Sequence, residues 1–275
     1  NTNPENPIIG NRSFGEDKEN VAQKGLAFTR GMQSVGVLGS AKHFPGHGDT
    51  AKDSHKTLPT INFTAKRLEE VELYPFRALS KSVASVMVGH LNVPALESKN
   101  GLPSSLSKTI ITDLLKKKMG YEGLIFTDAL GMKGVSEYLP IGEVEVEAFL
   151  AGNDILLMPS NLPKGFEAMK KAYQSKRISE ERLAHSVKKI LMAKYKVGLT
   201  TFTPIDEATV SKELHTTEDD LLTEAIFENA LTVAQNKNQI IPLKQLDKQK
   251  IAYVKFGNDS GWTFYSTLKK YADVA

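Results

Sequence analysis

The stretch Lys42-His43-Phe44-Pro45-Gly46-His47-Gly48-Asp49-Thr50-Ala51-Lys52-Asp53-Ser54-His55 holds three of the chain's six histidines and two aspartates. Imidazole ordinarily titrates near pH 6.5, so such a group can give and take a proton at working pH without being buried. Asp53 stands two residues before His55, close enough in a turning loop to reach the ring, select its tautomer and stabilise its cation. A further carboxylate, Asp128, directly follows the apolar run Leu124-Ile125-Phe126-Thr127. An aspartate fixed at a strand end is ionised at neutral pH without help and suits a nucleophile. Position alone leaves Asp128 equally open to capping a helix from Ala129 onward.

Other readings of these residues carry less. His43, His47, Asp49, Asp53 and His55 are types that suit zinc or manganese, but they crowd one flexible loop and no second cluster completes a site. No metal and no cofactor is expected. His47 and Asp49 are expected to shape the loop through local hydrogen bonds. His90, after Ser85-Val86-Met87-Val88, either lines a pocket or is satisfied by neighbouring loops, and His185 and His215 receive no role. Ser105-Leu106-Ser107-Lys108 fits the Ser-x-x-Lys pattern of acyl-serine enzymes without its companion motifs, so helix capping explains it better. Gly39 and Gly152 lack a Gly-x-Gly-x-x-Gly context, so nucleotide binding has no support.

The elements that must position these groups follow a pattern of short apolar runs alternating with amphipathic stretches between about residues 37 and 195, as in repeated beta-alpha units around a parallel sheet. Val37-Leu38 leads to Lys42-His43, Ser85 to Val88 leads to His90, Leu124 to Thr127 leads to Asp128, and Ile155-Leu156-Leu157-Met158 follows Asn153-Asp154. Ser107 is read as the cap of a helix whose Ile110, Ile111, Leu114 and Leu115 share a face and which Gly120 closes. Another helix starts at Ser179 and carries Leu183, Val187, Ile190 and Leu191 before Gly198. Residues 198 to 215 read as a linker. Thr216-Thr217 with Glu218-Asp219-Asp220 announces a helix to about Asn229, and Lys250 to Gly257 reads as the first strand of a separate unit.

Composition narrows the classes. A net charge of +3, with Lys and Arg scattered among nearly as many acids, argues against nucleic acid as a partner. Lys116-Lys117-Lys118 is read as a solvated helix terminus. The chain has no cysteine, which excludes disulfide and thiol chemistry. No run approaches the roughly 20 apolar residues of a membrane span, and the polar start does not read as a signal peptide. The first residue is Asn rather than Met, from which residues removed upstream are expected.

The segments KHFPGHGDT and DSH resemble the signature of the NagZ-type beta-N-acetylglucosaminidases (beta-N-acetylhexosaminidases) of glycoside hydrolase family 3. The resemblance extends to Asn11-Arg12-Ser13-Phe14-Gly15-Glu16-Asp17, to Phe126-Thr127-Asp128-Ala129-Leu130-Gly131-Met132 and to Ala151-Gly152-Asn153-Asp154, covering roughly residues 8 to 200 at matching spacing. Gln239-Ile240-Ile241-Pro242-Leu243 is similar to the start of the second domain found in many members.

What the resemblance implies is specific. The fold would be α/β: a TIM-type (β/α)8 barrel over residues 1–199 lacking its amino-terminal strands, then residues 200–275 as a linker helix and the start of a truncated second α/β domain. Asp128 would attack the anomeric carbon, His55 would be the acid/base, and Asp53 would orient His55. Arg12, Lys42 and His43 would hold sugar hydroxyls. The reaction would be retaining hydrolysis of a terminal beta-linked N-acetylglucosamine in a muropeptide or chitooligosaccharide, in the bacterial cytoplasm or the periplasm and cell envelope. A beta-glucosidase of the same family, a non-catalytic sugar-binding barrel and a metal hydrolase are the rival readings. In relatives the absent strands carry a further sugar-binding carboxylate, and broader members place a Glu acid on the second domain.

Overall fold

The computed structural model describes residues 1–275, the side chain of Asn11 apart. They form two compact units, Asn1–Phe202 and Thr203–Ala275.

In the first unit, α1 (Lys18–Ser34) starts where the Asp17 carboxylate accepts the Asn20 N–H at 2.8 Å. It stops at Gly36, whose φ of 83° lets the Val37 N–H turn back to the Met32 carbonyl at 3.0 Å. Val37 is thereby spent on closing the helix rather than on pairing, and the strand expected there begins later, as β1 (Ser40–Phe44). The chain then passes through α2 (Ala65–Arg67), a wide turn over Leu68–Glu72 and α3 (Tyr74–Leu79) to β2 (Ser85–Val88). A wide-turned helix, Thr109–Lys118, leads to β3 (Leu124–Thr127). The sheet order is β1-β2-β3, all parallel.

β2 and β3 are buried at three of four positions, as strands covered on both faces require. Ile125, Val88, Ile110, Ile111 and Leu115 have 0 to 1% of their surface exposed and knit the strands to the Thr109–Lys118 helix. Each such side chain contributes about 1.5–3 kcal/mol on burial. The Ser107 hydroxyl accepts the Ile110 N–H at 3.1 Å and donates to Glu97 at 2.5 Å, so the expected cap is present.

After β3 come α4 (Lys133–Ser136), α5 (Glu143–Ala151), α6 (Leu162–Gln174) and α7 (Glu180–Lys196), the last capped by Ser179. The strand expected at Ile155–Met158 is reduced to one bridge, Ile155 to Phe126. Its next N–H, on Leu157, goes to the Thr127 hydroxyl at 2.9 Å instead of to backbone, which ends the ladder. On α7 the expected apolar face is only half used: Leu183 packs inward, while Val187 and Leu191 are exposed. The basic run divides. Lys117 pairs with Asp113 and Lys118 with Glu69, but Lys116 turns inward, and burial lowers its pKa to about 8 against the pull of Asp154.

The second unit holds α8 (Val210–Glu213), α9 (Thr217–Ala230) and α10 (Trp262–Leu268). Thr216 and Asp219 exchange hydrogen bonds at the start of α9, which the acidic first turn leads one to expect. The strand expected over Lys250–Gly257 amounts to a bridge between Ile251 and Val274.

Candidate active site

Lys42 and His43 lie in the second half of β1, Asp128 directly follows β3, Asp53 and His55 stand on the loop after β1, and Arg12 lies in the turn before α1. β1 and β2 pair Lys42 with Met87 and Phe44 with Val88, which leaves His43 as the extra residue of a bulge. A bulge re-aims a side chain. His43 is 8% exposed, and its Nε2 stands 3.7 Å from Asp128 Oδ2. Its Nδ1 is buried with no partner. Burial lowers the His43 pKa to about 4; Asp128 opposes this, while Lys42, His47 and Arg12 add to it. The ring is therefore neutral at neutral pH and keeps one N–H to donate.

Asp128 is held by its own backbone. Its N–H donates to the Val88 carbonyl at 2.8 Å, continuing the β2–β3 ladder, and its Oδ1 accepts the Ala129 N–H at 2.8 Å. No helix starts at Ala129; α4 begins only at Lys133, so the capping alternative for Asp128 does not hold. One oxygen is thus tied down and the other faces His43.

The loop after β1 is cross-braced. His47 bonds through Nδ1 to Thr50 Oγ1 at 2.7 Å and through Nε2 to Ser54 Oγ at 3.0 Å, and Asn6 donates to the His47 carbonyl at 2.8 Å. Beyond these braces the loop lifts His55 into solvent, its side chain 61% exposed. His55 Nδ1 lies 2.8 Å from Asp53 Oδ1, and the same oxygen accepts the His55 backbone N–H at 2.8 Å. Because a carboxylate only accepts, Nδ1 carries the proton and Nε2 points free. Slight burial would raise the Asp53 pKa, but the two bonds from His55 outweigh it and hold the carboxyl below its usual value. The segment abuts the Asp128 loop: Lys133 N–H reaches the His55 carbonyl at 3.4 Å, and a Cβ on Gly134 would meet Ser54 O at 2.9 Å.

A cavity of about 340 Å³ opens beside β1, lined among others by Arg12, Lys42, His43, His47, Asp49 and Glu72. It gathers the three expected hydroxyl donors. Arg12 is half committed, since its Nε donates to the Ile8 carbonyl at 2.9 Å. Asp128 joins this group through His43, whereas Asp53 and His55 stand apart on the loop.

Sequence reasoning missed Arg67 and Glu72. Arg67 bridges Asp49 at 3.3 Å and Glu72 at 3.0 Å behind the loop, and burial raises the Glu72 pKa against that pairing. Nothing in the spacing of 49, 67 and 72 signals it. His90 does not line a pocket; it is 0% exposed and bonded on both nitrogens. Among the described residues no group of three His, Cys, Asp or Glu is arranged to hold a metal ion, and no helix is long and apolar enough to cross a membrane.

With this geometry in hand, comparison with known proteins places the chain. Beta-hexosaminidase A of Pseudoalteromonas piscicida is 32% identical, with 91% of this chain and 46% of that protein aligned. A protein named beta-N-acetylglucosaminidase/beta-glucosidase, from Cellulomonas fimi, is 27% identical over 86% of this chain and 44% of its own length. The chain therefore spans about half the length of the curated relatives it matches. Among solved structures, a glycoside hydrolase family 3 beta-N-acetylglucosaminidase from Paenibacillus sp. str. FPU-7 superposes with a TM-score of 0.84 at 34% identity, over 100% of this chain and 54% of that one. Residues 1–193 match the profile described as the glycosyl hydrolase family 3 N terminal domain, and the chain belongs to that family, with its α/β fold.

Proposed function

We propose that the protein is a retaining glycoside hydrolase that releases terminal non-reducing beta-linked N-acetylglucosamine. The observation that carries this is the pair of arrangements around Asp128 and His55: a carboxylate with one oxygen fixed and one free, and an imidazole whose Nδ1 is held by Asp53 while Nε2 faces solvent. The names of the relatives support the sugar.

In the proposed reaction, Asp128 Oδ2 bonds to the anomeric carbon as the bond to the leaving oxygen breaks. His55, as imidazolium, passes its Nε2 proton to that oxygen and keeps Nδ1–H on Asp53. In the second half, water attacks the anomeric carbon, neutral His55 Nε2 takes its proton, and the sugar–Asp128 bond breaks with net retention. Arg12, Lys42 and His43 hold hydroxyls of the sugar, so binding energy there serves ring distortion as well as affinity. The catalytic part is read as residues 1–199 of a (β/α)8 barrel, with residues 200–275 opening a second α/β domain, and the substrate as a muropeptide or chitooligosaccharide.

A fluorinated N-acetylglucosaminide that accumulates as a glycosyl-enzyme tests the reading directly. Mapping the label to Asp128 supports it, and a label elsewhere or none removes it. A second reading, beta-glucosidase activity, is favoured by the name of the Cellulomonas fimi relative; aryl glucosides turned over faster than aryl N-acetylglucosaminides would select it.

A further inference from the structure

His90 lies two residues beyond β2 and has no exposed surface. Its Nε2 is 3.0 Å from the Ala129 carbonyl oxygen and its Nδ1 is 2.7 Å from Ser105 Oγ. The carbonyl can only accept, so Nε2 carries the ring proton; Nδ1 is then bare, and the Ser105 hydroxyl donates to it. Burial pulls the His90 pKa down, in keeping with a neutral ring of one tautomer. Ser105 is itself anchored, its carbonyl accepting from Asn153 Nδ2 at 2.9 Å, and Asn153 also donates to Ala148 of α5 at 2.6 Å.

Ala129 therefore has both main-chain groups engaged: the carbonyl by His90 and, within its own turn, by the Met132 N–H at 3.0 Å, and the N–H by Asp128 Oδ1 at 2.8 Å. Fixing the carbonyl fixes the backbone at residue 129, and with it the direction of the N–H that holds Oδ1. Oδ2 is left free on the side of His43. A buried histidine satisfied by neighbours needs only two partners of any kind. Here one partner is the residue whose N–H orients the carboxylate.

We propose that His90 is a positioning residue for Asp128, which through Ala129 selects Oδ2 as the attacking oxygen, with Ser105 holding the ring at Nδ1. This rests on the reading of Asp128 as nucleophile. Misplacing a reacting atom by about 1 Å costs about 10²-fold in rate. His90→Leu, which keeps the bulk and loses both bonds, should then lower the glycosylation rate constant about 10²-fold while KM stays within about threefold. His90→Gln, able to donate to the Ala129 carbonyl, should recover to within about tenfold. Since no proton is transferred, the loss should be equal on 2,4-dinitrophenyl and on unactivated N-acetylglucosaminides.

The experiment is a pre-steady-state burst measurement on the full-length protein for wild type, Asp128→Ala, His90→Leu, His90→Gln and Ser105→Ala, with melting temperatures alongside. A folded His90→Leu with the wild-type burst rate, a loss confined to KM, or a loss that grows with leaving-group basicity overturns the proposal. Should His90→Leu not fold, Ser105→Ala decides, because it leaves the serine carbonyl for Asn153: a drop of about fivefold supports the assignment, and an unchanged rate overturns it. Turnover surviving in Asp128→Ala would remove the functional reading as well, whereas its loss beside neutral His90 and Ser105 variants would remove this inference alone.

Discussion

The two halves of the site are built in opposite ways. Asp128 ends a buried strand, its N–H in the sheet ladder, one oxygen capped by Ala129 N–H and its side chain only 16% exposed. His55 stands on a loop with its side chain 61% exposed and is oriented by one neighbour, Asp53, two residues away. The difference follows from the tasks proposed for them. A carboxylate that must meet a carbon atom within a few tenths of an ångström needs a rigid mount. A group that gives and takes a proton needs the right tautomer and access to the leaving oxygen, which one local partner on a loop can supply.

Breaking each half should give different signatures. Asp128→Ala removes the group proposed to carry the covalent bond, and turnover of every substrate should fall on the order of 10⁴-fold or more; residual activity near wild type in a steady-state assay would collapse the contrast. His55→Ala should cost about 10²- to 10⁴-fold on substrates with basic leaving groups and far less on activated phenols, which leave without a proton. Equal losses on both, read from a leaving-group series, would move proton transfer to another residue. Asp53→Asn keeps the loop geometry but withdraws the charge that stabilises the imidazolium. In an exposed setting this should cost about 10- to 10²-fold in kcat with little change in KM. An effect on KM alone would make Asp53 a loop-shaping residue.

The sequence made the exposed half easier to read than the buried one. Asp53-x-His55 is a local pair, and its contact depends on one turn. The cap at Ser107, the helix ends at Ser179 and Thr216, and the strands ending at Thr127 and Val88 were equally local and were legible. What escaped depends on contacts between distant segments. Arg67 meets Asp49 and Glu72 together only once the loop is folded, and His90 finds Ala129 39 residues away. Val37 and Leu157 read as strand because they are apolar, but one closes a helix and the other bonds to a side chain. Hydrophobicity reports burial better than it reports the partner of an N–H.

The smallest expected effect is on stability and sharpens the account of the buried half. In the unfolded chain His43 titrates near 6.5, whereas in the folded protein burial holds it down at about 4. As pH falls through this interval the unfolded state binds a proton that the folded state refuses, so stability present above pH 6.5 is lost on the way to pH 4. The fall from 6.5 to about 4 corresponds to roughly 3 kcal/mol at most. His43→Asn, which keeps a polar side chain but no titration, should flatten the acid limb. Between pH 7 and pH 4.5 the variant should lose on the order of 2 kcal/mol less than wild type in denaturant melts. His47 and His90 are lowered by burial too, so part of the limb should persist. Parallel limbs in the two proteins would mean that the folded site accepts the proton on His43. The ring would then pair with Asp128 and blunt its nucleophilicity, and the free Oδ2 on which the proposed reaction depends would be occupied.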